Sequence, residues 1–328
     1  MKKDSLPGLS LAGLGLIAAL AACGHREAPV PATTAVDATV DPRLKQINHF
    51  VVIYLENRSF DHLFGNFPGA NGRANAGDSS KQLDKNSVEL AALNKEKNIP
   101  SQPDPRFPPA NGDAPLPNAP FDIGRYVPPG PAYIKAVADT EAEYRRLEQA
   151  LEYATYQYHH NPLTYFRKYD EGTQGRAEHL KDYDDMMTAI KNDQLPQVAF
   201  YKPLGKFNQH SGYSNIIDAD RHLKEVIDAL QSSKAWEDTA VIITYDEFGG
   251  YWDHVAPPKL DQWGPGPRIP ALIVAKHAKR GYVDHTFYDT TSILATLEHR
   301  FGLTPLTDHD KNANDLANAF EMPGTGTN

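Results

Sequence analysis

The chain has 328 residues, 42 acidic against 33 basic side chains, a formal net charge of −9 and 1 cysteine. This acidic balance excludes a general nucleic-acid binder, which needs a basic face to neutralise phosphates, while a small phosphorylated substrate stays compatible because a bound cation supplies positive charge locally. A single cysteine excludes an internal disulfide and a thiolate metal site, so any metal must be held by oxygen and nitrogen.

In chain order, Met1-Lys2-Lys3 and the apolar stretch from Leu11 to Ala22 have the charged start and short apolar core of an export signal. The stretch closes on Leu20-Ala21-Ala22-Cys23-Gly24, which resembles the bacterial lipobox and predicts Cys23 as a lipidated residue; the alternative is an ordinary signal peptide with an incidental cysteine. Residues 24–45, polar and dotted with prolines, predict a flexible tether. A folded domain is expected over 46–308 and a C-terminal tail over 309–328. No second apolar run reaches membrane-spanning length, so the expected membrane attachment is the lipid alone, in the cell envelope at the periplasmic face or outer membrane.

Four β-rich runs follow, Phe50 to Leu55, Val198 to Lys202, Ala240 to Tyr245 and Ala271 to Ala275. Between them lie helical patterns over Arg176 to Lys191, Asp218 to Ser232 and Asp289 to Phe301, the last with Asp289 and Thr290 as caps. Strands alternating with helices predict an α/β fold with a mostly parallel sheet covered on both faces. Prolines exclude regular structure over residues 98–131, a surface excursion, and the Gly- and Pro-free stretch Ala132 to Tyr158 predicts a long amphipathic helix.

Ligands of such sheets sit beyond the carboxyl ends of the strands. Glu56-Asn57 and Asp246-Glu247 fall there, and together they offer the carboxylate and amide oxygens that a hard divalent cation needs. Taken singly, an acidic dipeptide after a strand is more often a helix cap or a solvated turn. The turn after the second pair, Phe248-Gly249-Gly250-Tyr251-Trp252-Asp253-His254-Val255, lets backbone approach a ligand, and His254 is a candidate acid, phosphate donor or metal ligand, or else the hydrogen bond that fixes the loop. His159, His160 and His210, in loops, are donors of the kind that surround a tetrahedral oxyanion. His62, His179, His277, His285 and His299 have weaker claims.

Glu56-Asn57-Arg58-Ser59-Phe60-Asp61-His62-Leu63-Phe64-Gly65 resembles the first signature of the bacterial phosphoesterase family that includes acid phosphatases of the AcpA type and non-zinc phospholipases C. Thr244 to Pro258 resembles its second signature, and the similarity continues through Glu178 to Asp182, Trp263 to Pro270 and Lys279 to Thr286. The resemblance implies a three-layer α/β/α sandwich similar to alkaline phosphatase, and phosphate-ester hydrolysis with a divalent metal. By position it implies Glu56, Asn57, Asp246 and Glu247 as metal and phosphate ligands and His159, His160 and His210 on phosphate oxygens. His254 joins them as an expected catalytic group.

The chain departs from the family after Phe121 to Pro128. Relatives continue there into a Gly- and Ser/Thr-rich turn, followed by Asn-His, that carries the nucleophile, and no such turn precedes Tyr158-His159-His160. The nucleophile is thus unknown: a water activated by the cation, a hydroxyl such as Ser59 or Ser211, or none in a catalytically poor relative. The expected function is a metal-dependent, acid-phosphatase-like phosphoric ester hydrolase. The alternatives are a non-catalytic lipoprotein of the same fold that binds metal or phosphate, and a phospholipase C-type phosphodiesterase.

Overall fold

The β-branched run Val51, Val52 and Ile53 lies at the centre of strand β1, His49–Leu55. In the computed structural model, which describes residues 40–77, 81, 86, 88–91, 118, 160–211, 214–262 and 264–324, β1 sits between β2, Val198–Tyr201, and β3, Thr239–Tyr245, both parallel to it. Strand β4, Ala271–Ala275, completes the order β2-β1-β3-β4 and runs antiparallel to β3. The register pairs Ile53 with Tyr201 and Leu55 with Tyr245, so β1, β2 and β3 end at one edge of the sheet.

Successive side chains of a strand point to opposite faces, and both faces here are covered. Phe50, Val52, Ala240 and Ile242 pack on one side against Ile293 and Leu297 of helix Thr291–Phe301. On the other side Val51, Ile53, Val241 and Ile243 meet Ile190 of helix Tyr183–Lys191 and Leu223, Val226 and Leu230 of helix Ile216–Gln231. The three- and four-residue spacing of Leu223, Val226 and Leu230 places them on one helical stripe. Each such side chain stabilises the fold by about 1.5–3 kcal/mol when fully buried. The result is the expected three-layer α/β/α sandwich with a mostly parallel sheet.

Four expectations change. The helix predicted over Arg176 to Lys191 is two helices, Gln174–His179 and Tyr183–Lys191, because Asp182 accepts from Asp185 N and Asp185 from Asp182 N in a capping box that restarts the helix. The Asp218 to Ser232 helix begins earlier, at Ile216, capped by Asn215. The tether expected to residue 45 is already folded at its end: Pro42–Lys45 is helical behind an Asp41 cap, and Val40 and Leu44 are buried in the first core face. The tail expected from 309 is likewise part of that core, since Leu316, Ala317 and Phe320 pack into it, with Phe320 fully buried. Cys23, His159, the helix expected over 132–158 and, Asn118 apart, the Pro-rich excursion 98–131 lie outside the described residues.

Among the described residues, no helix is long and apolar enough to cross a membrane.

Candidate functional site

At the common edge of the sheet the two acidic pairs meet. Asp246 N donates to Leu55 O at 3.1 Å, and Arg58 N donates to Glu247 O at 3.1 Å, so main-chain bonds carry the β1–β3 pairing past the strand ends. Asn57 adopts a left-handed conformation, φ 62°, with its N–H on Asp246 Oδ1 at 3.3 Å. Gly249, φ 66°, crosses directly over it: a Cβ at 249 would lie 2.7 Å from Asn57 Cβ. The glycine turn that follows Asp246-Glu247 is thereby explained as space for Asn57.

The Asn57 amide is the centre of the cluster. One of its terminal atoms lies 2.9 Å from Glu247 Oε1, 3.0 Å from Glu56 Oε2 and 3.0 Å from Asp246 Oδ1, and the other lies 3.0 Å from His210 Nε2. With nitrogen toward the carboxylates, the amide has two hydrogens for three acceptors. With nitrogen toward them, the amide oxygen accepts from His210 Nε2; with oxygen toward them, the amide nitrogen faces that Nε2 and needs the tautomer in which Nδ1 donates to the Ser211 carbonyl at 2.7 Å. With oxygen inward, four oxygens face one another with no donor between them, an arrangement that only an intervening cation would satisfy.

Glu247 and Glu56 each present one oxygen to the Asn57 amide and anchor the other, whereas the Asp246 oxygen that faces the amide, Oδ1, also accepts from Glu247 N at 2.8 Å. Glu247 Oε2 accepts from Gly249 N at 2.8 Å. Glu56 Oε1 faces His160 Nε2 at 2.8 Å and Lys202 Nζ at 2.5 Å, and Asp246 Oδ2 faces the same Lys202 Nζ at 3.4 Å. Burial works to raise the Glu56 carboxyl, but its contacts with His160 and Lys202 outweigh burial and hold it down at about 2. Burial pushes Asp246 up, opposed by Lys202 and reinforced by the neighbouring charge of Glu56.

Lys202 escaped the sequence reading. A lone lysine after a strand has no motif spacing, and the available signal was that β2 neighbours β1 and ends at the same edge. His210 is presented by a loop whose preceding residue, Gln209, is buried with φ 70° and held by Tyr245 Oη at 2.6 Å and Asp220 Oδ1 at 2.9 Å.

His254 is not in this cluster. Its Nδ1 lies 2.6 Å from Asp61 Oδ2 and its Nε2 3.1 Å from Asn71 Oδ1, contacts in keeping with the loop-fixing bond among its expected roles. Asp61, Asp253 and His254 offer ligand atoms within 4.8 Å of one another, a spacing that a metal can use. Arg268 enters the same group, with Nε on Asp253 Oδ1 at 2.9 Å and a terminal nitrogen on Asp253 Oδ2 at 3.2 Å and Asp61 Oδ1 at 3.3 Å. With main-chain donors from Asp61, His254 and Val255, all four carboxylate oxygens are bonded, and the group ties the two signature stretches together.

Of the hydroxyls considered, Ser59 is fully buried, donates to Trp252 O at 2.6 Å and caps a short helix through His62 N. Ser211 Oγ accepts from an Arg58 terminal nitrogen at 3.0 Å and contacts Tyr251 Oη. His62 stacks on Tyr251 at 4.0 Å, and burial lowers it to about 4, helped by Arg58 and Arg73. His277 and His299 bond Glu237 O and Asp315, away from the cluster.

A family model described as Phosphoesterase family matches residues 47–119 and 130–304. The chain belongs to the phosphoesterase family. Its α/β sandwich fits the alkaline-phosphatase-like architecture that the signatures imply. Curated relatives include non-hemolytic phospholipase C of Pseudomonas aeruginosa, 28% identical over 180 residues, 44% of this chain and 26% of the relative. Phospholipase C B of Mycobacterium tuberculosis is 25% identical over 166 residues, 42% of this chain and 32% of the relative. Non-specific phospholipase C6 of Arabidopsis thaliana is 31% identical over 133 residues, 33% and 25% of the two chains. The chain thus spans only about a quarter to a third of the length of these relatives.

Proposed function

We propose that this phosphoesterase-family chain hydrolyses phosphoric esters at a divalent cation held by Glu56, Asn57, Asp246 and Glu247. The observation that carries the reading is the packing of three carboxylate oxygens around one Asn57 amide atom, with His210 Nε2 3.0 Å from the other. A divalent ion supplies charge there that polarises a phosphoryl group and stabilises the negative charge of the transition state. His210, in the tautomer whose Nδ1 donates to the Ser211 carbonyl, fixes the Asn57 amide with its oxygen inward. His160 and Lys202 hold Glu56 ionised, so that it stays a ligand across neutral pH. His159 is proposed as a donor to phosphate oxygens, and His160 can share that role from its place on Glu56. His254 is assigned to the Asp61 group.

Ser59 is committed to its cap and Ser211 to Arg58 and Tyr251, so the attacking group is assigned to water rather than to either serine. The phosphomonoesterase reading is supported by the acid-phosphatase-like stretches Glu178 to Asp182 and Trp263 to Pro270. A phosphodiester substrate is the second reading, favoured by relatives named phospholipase C. Attachment to the cell envelope through Cys23 is part of the proposal, and Cys23→Ser is expected to move the protein from the membrane fraction to the soluble one.

The decisive assay gives purified protein a chromogenic phosphomonoester and, separately, a phosphocholine diester, from acidic to neutral pH with a series of divalent ions. Metal-dependent turnover that Asp246→Ala abolishes is expected. Cation binding without turnover of either ester would make the chain a non-catalytic binder, and turnover indifferent to chelator would remove the cation from the reading.

A further inference from the structure

The cation cluster has a second layer. Lys202 follows β2, reaches past the end of β1 and touches carboxylates carried on two other strands, Glu56 after β1 and Asp246 after β3. It takes the outer oxygen of each, Glu56 Oε1 and Asp246 Oδ2, while the inner oxygens, Glu56 Oε2 and Asp246 Oδ1, face the Asn57 amide. Its side chain is 18% exposed and that of Glu56 4%, so the contact with Glu56 is shielded from bulk water and weakly screened by salt.

Resting on the cation reading above, we propose that Lys202 is a positioning residue that doubles as the resident counter-charge of the cluster and thereby matches it to a divalent ion. Two consequences follow from where the ammonium sits. By pairing with the outer oxygens it stops either carboxylate from rotating to present both oxygens inward, adding at Asp246 to the main-chain donors from Glu247 and Asn57 that already hold Oδ1. By charge, three carboxylates and one ammonium leave two negative charges, the number a divalent ion neutralises. Without the ammonium the same oxygens hold three negative charges, suited to a trivalent ion.

The two effects oppose one another in the affinity for any single ion, since removing Lys202 loosens the ligands but also removes a like charge. The ratio of affinities for two ions of similar ligand preference and different charge cancels the first effect and isolates the second. The full chain is therefore titrated with Mn²⁺ and with Tb³⁺, as wild type, Lys202→Met, Lys202→Gln, Lys202→Arg and Glu247→Gln, with folding of each variant checked by circular dichroism. Both neutral variants are expected to shift the ratio toward Tb³⁺ by at least about tenfold, the size of effect that one charge exerts over a few ångström in a partly shielded site. Lys202→Arg, which keeps the charge, is expected to stay within about threefold of wild type.

If wild type binds neither ion, or if Glu247→Gln leaves both affinities unchanged, the cation reading itself fails. If Glu247→Gln weakens binding but the neutral variants keep the wild-type ratio, or if Lys202→Arg shifts it as far as Lys202→Met, the inference about Lys202 is overturned while the cation reading stands. Unfolding of both neutral variants would make Lys202 a structural ion pair and overturn the inference as well.

Discussion

Alanine at Gly249 and alanine at Gly250 make a matched pair of perturbations, because both glycines have positive φ, 66° and 73°, and only one has a neighbour. A side chain forced into the left-handed region costs roughly 1–2 kcal/mol at either position. At Gly250 nothing lies within 4 Å of the added Cβ, so that strain is the whole effect. At Gly249 the Cβ meets Asn57 Cβ at 2.7 Å, Asn57 O at 2.9 Å and Asn57 C at 3.1 Å. Those separations are about 1 Å short of comfortable carbon contacts and add about 1–3 kcal/mol of overpacking. The contact also pushes on the residue whose amide the three carboxylates surround. Urea unfolding is expected to show a loss of about 1 kcal/mol for Gly250→Ala and about 2–5 kcal/mol for Gly249→Ala, and Mn²⁺ titration a drop of at least about tenfold for Gly249→Ala alone. Equal losses of stability in the two variants, or a cation affinity that Gly249→Ala leaves intact, would refute the reasoning.

Removing the guanidinium in Arg268→Met leaves Asp61 and Asp253 buried without their countercharge, and chemical denaturation is expected to show about 3–5 kcal/mol lost. Phe320→Ala empties a fully buried site between the sheet and the C-terminal turn, with an expected loss of about 3–5 kcal/mol in the same measurement. The folded His62 value of about 4 lies below the unfolded 6.5, so between those pH values the unfolded chain binds more protons and stability falls as pH drops. Above pH 6.5 this contribution is fully present, and below pH 4 it is gone. His62→Phe is expected to flatten that window by up to about 3 kcal/mol, read from urea midpoints at a series of pH values; a slope equal to wild type would show that His62 is not its source.

The strands were legible because their apolar runs are short, β-branched and bounded by polar residues, and the site was legible where those strands stop. Glu56, Asn57, Asp246 and Glu247 could be paired from the sequence once β1 and β3 were recognised as parallel, since parallel strands place their carboxyl ends together. The partner of His254 was not legible, because its neighbours in the sequence are a glycine turn and an acidic pair, whereas Asp61 is 193 residues away. Sequence proximity to a site is weak information about which way an imidazole points. The buried tail was missed for another reason: Leu316, Ala317 and Phe320 sit in a turn too short to show any hydrophobic period, and their burial is decided by the surface they land on. Asp182 and Asp185 did carry the signal for a helix start, masked by an otherwise continuous helical pattern.

Phe320 and Leu44 share one side of the sheet, whereas the opposite side draws on residues between Val51 and Val274. A growing chain can therefore close one side well before the other, and the half-built protein leaving the ribosome exposes an apolar surface until Phe320 emerges.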